Sequence, residues 1–169
     1  MKTNNTFALR KTHACIAALF AVLLTIACRH EKDSSLFDSD LFVQASASDL
    51  VAFMNGDTLD PAGNSPHSSF TLHFNSTSYD ALTEDGELPV GGNFPVGSLV
   101  VKSIVNAGSI KYAVMKKDPT HENAAGGWLW AEYGADGSVV YSTGEKGQSC
   151  TGCHSQAPHR DYTRTFDLH

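Results

Sequence analysis

The sequence predicts an α+β domain, mainly antiparallel β-sheet with short peripheral helices. Three observations predict it. Residues 98–105, 110–116, 128–133 and 138–142 are runs of strand length, rich in β-branched and aromatic side chains. Asn106-Ala107-Gly108 and Ala135-Asp136-Gly137 separate them in pairs and are hairpin turn signals. Helical spacing is confined to brief stretches with nearby caps and stops.

In chain order, residues 1–27 read as a signal segment. Lys2, Arg10 and Lys11 make a positive start, and residues 14–27 are apolar without a charge. That run is short of the ~20 residues a membrane span needs. It stops at Leu24-Thr25-Ile26-Ala27-Cys28, which resembles the lipobox of bacterial lipoproteins. Thr25 stands where the usual residue is Leu. On this reading the segment is cut before Cys28, which takes lipid. The alternative is ordinary cleavage after Ala27, leaving Cys28 free. The expectation is an exported, periplasmic or cell-envelope lipoprotein of a bacterium, held to a membrane face by its anchor only. Residues 28–45 are expected to form a flexible tether, because residues 29–39 are polar and charged. Residues 46–169 are expected to form a single domain.

Within that domain, residues 48–55 suit a short helix with Ser48 as N-cap and Leu50, Val51 and Met54 on one face. Residues 57–69 are rich in Gly, Pro and Asn and form a loop. Phe70-Thr71-Leu72-His73-Phe74 alternates and is a strand. Ser76 or Thr77 caps a helix running through Tyr79 and Leu82. Residues 89–92 turn the chain into the strand at 98–105. After the strand at 138–142, a brief glycine-bounded segment leads into residues 150–154, on a short helix.

Those residues are Cys150-Thr151-Gly152-Cys153-His154. Two thiols three apart, followed by an imidazole, form the attachment pattern for haem c. Each thiol can join one vinyl group of the porphyrin, and His154 can then ligate the iron. Thr151 and Gly152 are small enough to let the backbone lie against the ring. A zinc site would want a second Cys or His pair, and no second pair of cysteines exists. A redox dithiol would want a βαβ pattern around it, which is missing. One haem per chain is expected. The four cysteines are then all accounted for: Cys15 in the leader, Cys28 for lipid, Cys150 and Cys153 for haem. None is left for a disulfide.

The formal charge is −6, and three of the twelve Lys+Arg lie in the leader. Acids therefore outnumber bases two to one beyond it, which excludes nucleic acid as a partner. Such a surface suits a basic electron-transfer partner or serves solubility alone.

Only fifteen residues follow His154, and none is Met. A second axial ligand must come from upstream, from Met54, Met115, His67, His73, His121 or Lys102. If none ligates, the iron has an open position for a small molecule.

Three blocks resemble the cytochrome P-460 family and its relatives, the β-sheet cytochromes c′. Phe94-Pro95-Val96-Gly97-Ser98-Leu99-Val100-Val101-Lys102 is similar to the family's F-x-D-G-x-x-x-x-K, with Val96 in place of Asp. Tyr112-Ala113-Val114-Met115-Lys116-Lys117-Asp118, followed by Gly127-Trp128, is similar to its V-M-x-K-D and G-W strands. The motif at 150–154, with Asp161-Tyr162-Thr163-Arg164-Thr165 after it, resembles its D-x-V-F-T tail. The resemblance spans roughly Phe70 to Leu168. It implies a β-rich P-460-like haem domain, in many members a homodimer, with a five-coordinate haem c.

The resemblance further implies one of two activities. P-460 enzymes carry a lysine bonded to a meso carbon of the porphyrin and oxidise hydroxylamine, a small nitrogen compound. The c′ relatives lack that bond, wall the open iron site with phenylalanine and bind nitric oxide or similar gases. A plain electron carrier is the third alternative. Lys102 lies where the bonded lysine would sit. Period two puts it with Val100 and Ile104, opposite Leu99, Val101, Ser103 and Val105. Both faces are largely apolar, so neither is plainly a solvent face. Phe70 is the nearest match to the distal position, with Phe74 and Phe94 as other candidates for the wall. Glu145, nine residues before His154, is the candidate proton-moving carboxylate. Asp161 is expected to tie the tail near the haem.

Overall fold

The computed structural model describes residues 35–106 and 108–169. The leader, Cys28 and the tether up to residue 34 lie outside the described residues. The chain divides into two compact units, Met1–Leu36 and Phe37–His169. Of the first, only residues 35 and 36 are described.

The centre of the second unit is one six-stranded sheet in which every strand pairs antiparallel with the next in sequence. The strands are β1 (Val51–Ala52), β2 (Phe70–Phe74), β3 (Leu99–Asn106), β4 (Ser109–Lys117), β5 (Trp128–Gly134) and β6 (Val139–Tyr141). This is the meander that the alternating runs and turn signals predict. Gly108 at the β3–β4 turn has φ +84, which only glycine adopts freely. Short helices surround the sheet: α1 (residues 35–45), α2 (Ser76–Tyr79), α3 (Thr151–His154) and α4 (Thr165–Leu168). Among the described residues, no helix is long and apolar enough to cross a membrane.

The sheet is covered on both faces, which explains why both faces of β3 are apolar. On one side Val100, Ile104, Met115 and Trp130 join a core with Phe74 and Phe166. On the other, Leu99, Val101, Val114 and Tyr133 pack with Leu41 and Ala45 of α1.

Two elements differ from expectation. Residues 35–45 do not form a flexible tether. They are helical, Leu41 and Ala45 are buried, and Asp38 is only 2 % exposed. Local polarity suggested a loose chain, but the apolar residues at 37, 41, 42 and 45 make one helical stripe that covers the sheet. Residues 48–55 do not form a helix. Val51 and Ala52 pair with Phe74 and His73. The following turn of 3₁₀ helix, Phe53–Gly56, has left-handed Met54 and Asn55. A helix of two turns repays little of its nucleation cost, and pairing the edge of β2 prevails. A smaller difference is that Asn75, rather than Ser76 or Thr77, caps α2. Its Oδ1 accepts from Ser78 N at 3.0 Å and from Leu99 N at 2.9 Å, so the cap also fixes the start of β3.

Candidate functional site

Register builds one wall of the site. Across the sheet, Leu72, Lys102, Ala113, Glu132 and Tyr141 stand in a single row. Phe74, Val100, Met115 and Trp130 form the next. A cavity of about 430 Å³ lies over the first row and over Val100, Met115 and Trp130 of the second. Phe70, Leu72, Val100 and Met115 make it apolar, and Lys102 and Glu132 face into it. Volume and polarity are those of a ligand site.

α3 forms the opposite side. Thr151 N donates to Gly147 O at 2.9 Å, and Cys153 N and His154 N donate to Cys150 O at 3.2 and 3.1 Å. This single turn brings Cys150, Cys153 and His154 to the cavity together. Both cysteines are free and half-buried. Burial, with Glu132 nearby, pushes the Cys150 thiol up to about 11. The His154 ring packs edge-on against Trp130, with centroids 4.9 Å apart. Its Nδ1 lies 2.8 Å from the carbonyl of Tyr162, so Nδ1 carries the proton and Nε2 keeps its lone pair free. Burial holds its pKa down to about 4, so the ring is neutral at pH 7, as an iron ligand must be.

The residues fit a haem. Two thiols and one imidazole with a free nitrogen face a single apolar cavity. At its edge the Thr163 hydroxyl and Arg164 Nε are buried without a protein partner among the described residues. They leave donors for an acidic group, which haem brings as its propionates. Among the described residues, no group of three or more His, Cys, Asp or Glu is placed to hold a metal ion.

Lys102 faces the cavity. Its Nζ lies 3.9 Å from the centroid of the Phe70 ring, and burial lowers its pKa to about 8. Phe70 is therefore the expected phenylalanine that reaches the wall. Phe94 does not line it. It packs within the core, 5.6 Å from Trp128 and stacked at 6.2 Å on Phe74, which is also away from the cavity. Glu145 does not reach the cavity either. It is exposed at the end of a 3₁₀ turn, Thr143–Glu145. The carboxylate at the cavity is Glu132, half-buried and paired with Lys111 Nζ at 3.2 Å. A signal for it existed, since period two puts Glu132 on the face of Trp128 and Trp130.

Of the upstream candidates for a second ligand, His67, Met115 and Lys102 line the cavity. Met54 is 46 % exposed, His121 packs on Phe37, and His73 alternates with Leu72 and Phe74 onto the other face of the sheet. His67 has no hydrogen-bonded ring nitrogen among the described residues, and burial holds its pKa down to about 4. His169 and Arg164 also line the site; Arg164 falls in the tail block at 161–165, but nothing local in the sequence assigned either residue to the site.

Asp161 does tie the tail to the domain. Its carboxylate accepts from Lys117 Nζ at 2.7 and 2.9 Å, Phe94 N at 2.9 Å and Trp128 Nε1 at 3.3 Å.

No curated protein sequence matches the chain. The sequence model of the family described as cytochrome P-460 matches residues 53–165, most of the domain, and the chain belongs to that family.

Proposed function

From that membership and the cavity's chemistry, we propose that this haem-binding protein is a c-type cytochrome that oxidises hydroxylamine or a related small nitrogen compound. Cys150 and Cys153 would hold one haem per chain through thioether bonds, and His154 would ligate its iron. When bound, the haem supplies a redox-active iron. The observation that carries the reading is the row Lys102–Ala113–Glu132. It places an amine and a carboxylate on either side of a residue that is only a methyl group wide.

Converting two hydroxylamines to one nitrous oxide and one water releases four protons and four electrons. A base at the cavity is needed for the protons, and Glu132 is the group in position. The Glu132 side chain is itself 21 % exposed, which gives the proton a route to solvent. The electrons leave to a partner redox protein, for which the net acidic chain suits a basic surface. Lys102 Nζ is the amine available for the porphyrin bond that the family resemblance implies. Its lowered pKa increases the neutral, nucleophilic fraction. Export and anchoring at Cys28 belong to this reading, because haem c is attached outside the cytoplasm. So does a homodimer, by resemblance alone.

The apolar wall of Phe70, Leu72 and Val100 favours a second reading, reversible binding of nitric oxide or a similar gas. The ferrous absorption spectrum of the purified holoprotein, with tryptic masses alongside, separates the two. A strongly red-shifted Soret band and a peptide joining Lys102 to haem support hydroxylamine chemistry. An ordinary high-spin spectrum without that bond, and no hydroxylamine turnover, overturns it in favour of gas binding.

A further inference from the structure

Tyr162, whose carbonyl meets His154, sits in a backbone conformation that an aromatic residue rarely adopts. Asp161 and Tyr162 both have positive φ, 47° and 68°. Arg160 N donates to Thr163 O at 2.9 Å and Thr163 N to Arg160 O at 2.8 Å, so the two residues form a tight two-residue turn. Turns of this type favour Asn or Asp followed by Gly, so Asp161 fits its position and Tyr162 does not. Strain of this kind persists only where surrounding structure over-determines it.

Here the surroundings are explicit. The Asp161 side chain is 4 % exposed, and its ion-pair partner Lys117 10 %. Its donors come from the end of β4 (Lys117), the start of β5 (Trp128) and the segment before β3 (Phe94). The Tyr162 ring rests against Gly126, where a Cβ would run into it. Tyr162 N donates to His159 Nδ1 at 3.1 Å, so both of its backbone polar groups are engaged. The carbonyl's position is thus set by the tail's own turn together with the sheet, which grips that turn through a buried carboxylate.

We propose that Asp161 is a positioning residue for the haem: it locks the Tyr162 carbonyl onto Nδ1 of His154 and so fixes the orientation and donor strength of the axial imidazole. This rests on His154 being the iron ligand. A hydrogen bond from the far ring nitrogen makes an imidazole a stronger donor to a metal, and its loss is felt at the metal without any ligand being removed. A stronger donor stabilises the ferric state over the ferrous.

The test uses the holoprotein. Asp161→Asn keeps the shape of the side chain and removes the charge that holds Lys117. The iron–histidine stretch of the ferrous state and the midpoint potential are read by resonance Raman and redox titration. Expected are a lower, broader stretch and a more positive potential. Gly126→Ala, which displaces the Tyr162 ring by a separate route, shifts both in the same direction. Asp38→Asn, equally buried but on the other face of the sheet, destabilises the fold and leaves both unchanged. If Asp161→Asn loads haem normally yet shows an unchanged stretch and potential, the proposal is overturned. Should that variant fail to fold, unchanged values in Gly126→Ala overturn it instead. An equal shift in Asp38→Asn overturns it too, since the effect would then be general loosening. Absence of an iron–histidine band from a five-coordinate ferrous haem in the unmodified protein removes His154 as ligand, and the proposal falls with that reading.

Discussion

Replacing Asp38 with alanine should destabilise the domain far more than a residue in a tether could. Asp38 accepts from Ser142 Oγ at 2.6 Å, Thr143 N at 3.0 Å and Tyr133 OH at 3.3 Å. Ser142 is half-exposed and can turn to water. Thr143 and Tyr133 are fully buried and cannot. Each of these two buried donors left without a partner costs about 1–3 kcal/mol, so the loss is about 2–6 kcal/mol. For a domain of this size that lowers Tm by roughly 10 °C. Asp38→Asn retains an acceptor and should fall between the two proteins. Burial, reinforced by Asp38, raises the Tyr133 phenol well above its ordinary range, so Tyr133 donates throughout the accessible pH range. The assay is guanidinium unfolding followed by far-UV circular dichroism, comparing both variants with the unmodified protein. A loss below about 0.5 kcal/mol for Asp38→Ala, within the range of ordinary surface substitutions, would overturn this account. It would return residues 35–45 to the role of a tether.

Leu41→Ala should cost about 2–5 kcal/mol by the same assay, because the side chain is fully buried between α1 and the sheet. Glu132→Gln should lower hydroxylamine turnover by ~10²–10⁴-fold, the usual contribution of a positioned base, while Glu145→Gln leaves it unchanged; steady-state kinetics with the reverse pattern would restore Glu145. His67 contributes a pH dependence. Its folded pKa of about 4 lies below the ordinary 6.5, so below pH 6.5 the unfolded chain takes up a proton that the folded one refuses. Stability should therefore fall as pH drops from 6.5 towards 4, and His67→Gln should flatten that slope in unfolding measurements at several pH values.

Much of the candidate site could be read from local spacing. The adjacency of Cys150, Cys153 and His154 is a property of five consecutive residues, and one turn of helix is enough to present them. The meander was legible for a similar reason, since each strand pairs with its sequence neighbour and the turn residues lie between. The face of Lys102 was not, because period two assigns residues to faces without saying what covers each. Both faces of β3 are buried, one by α1 and one by the aromatic core, so polarity along the strand carries no direction.

Other features depend on segments far apart in the chain. Glu132 rather than Glu145 lines the cavity, because the acid near the motif in sequence is on an exposed turn, while the acid opposite Ala113 is brought to the cavity by strand pairing. Phe70 and Phe94 were equivalent as sequence, yet one reaches the cavity wall and the other stacks within the core. The grip of Lys117 and Trp128 on Asp161 links residues more than thirty positions apart, and no local pattern encodes such a meeting. Residue order alone is enough to say which groups can bond a haem, since covalent chemistry needs only residue type and spacing. Which groups surround it is a matter of packing between distant segments, because those contacts form only when the sheet is covered on both sides.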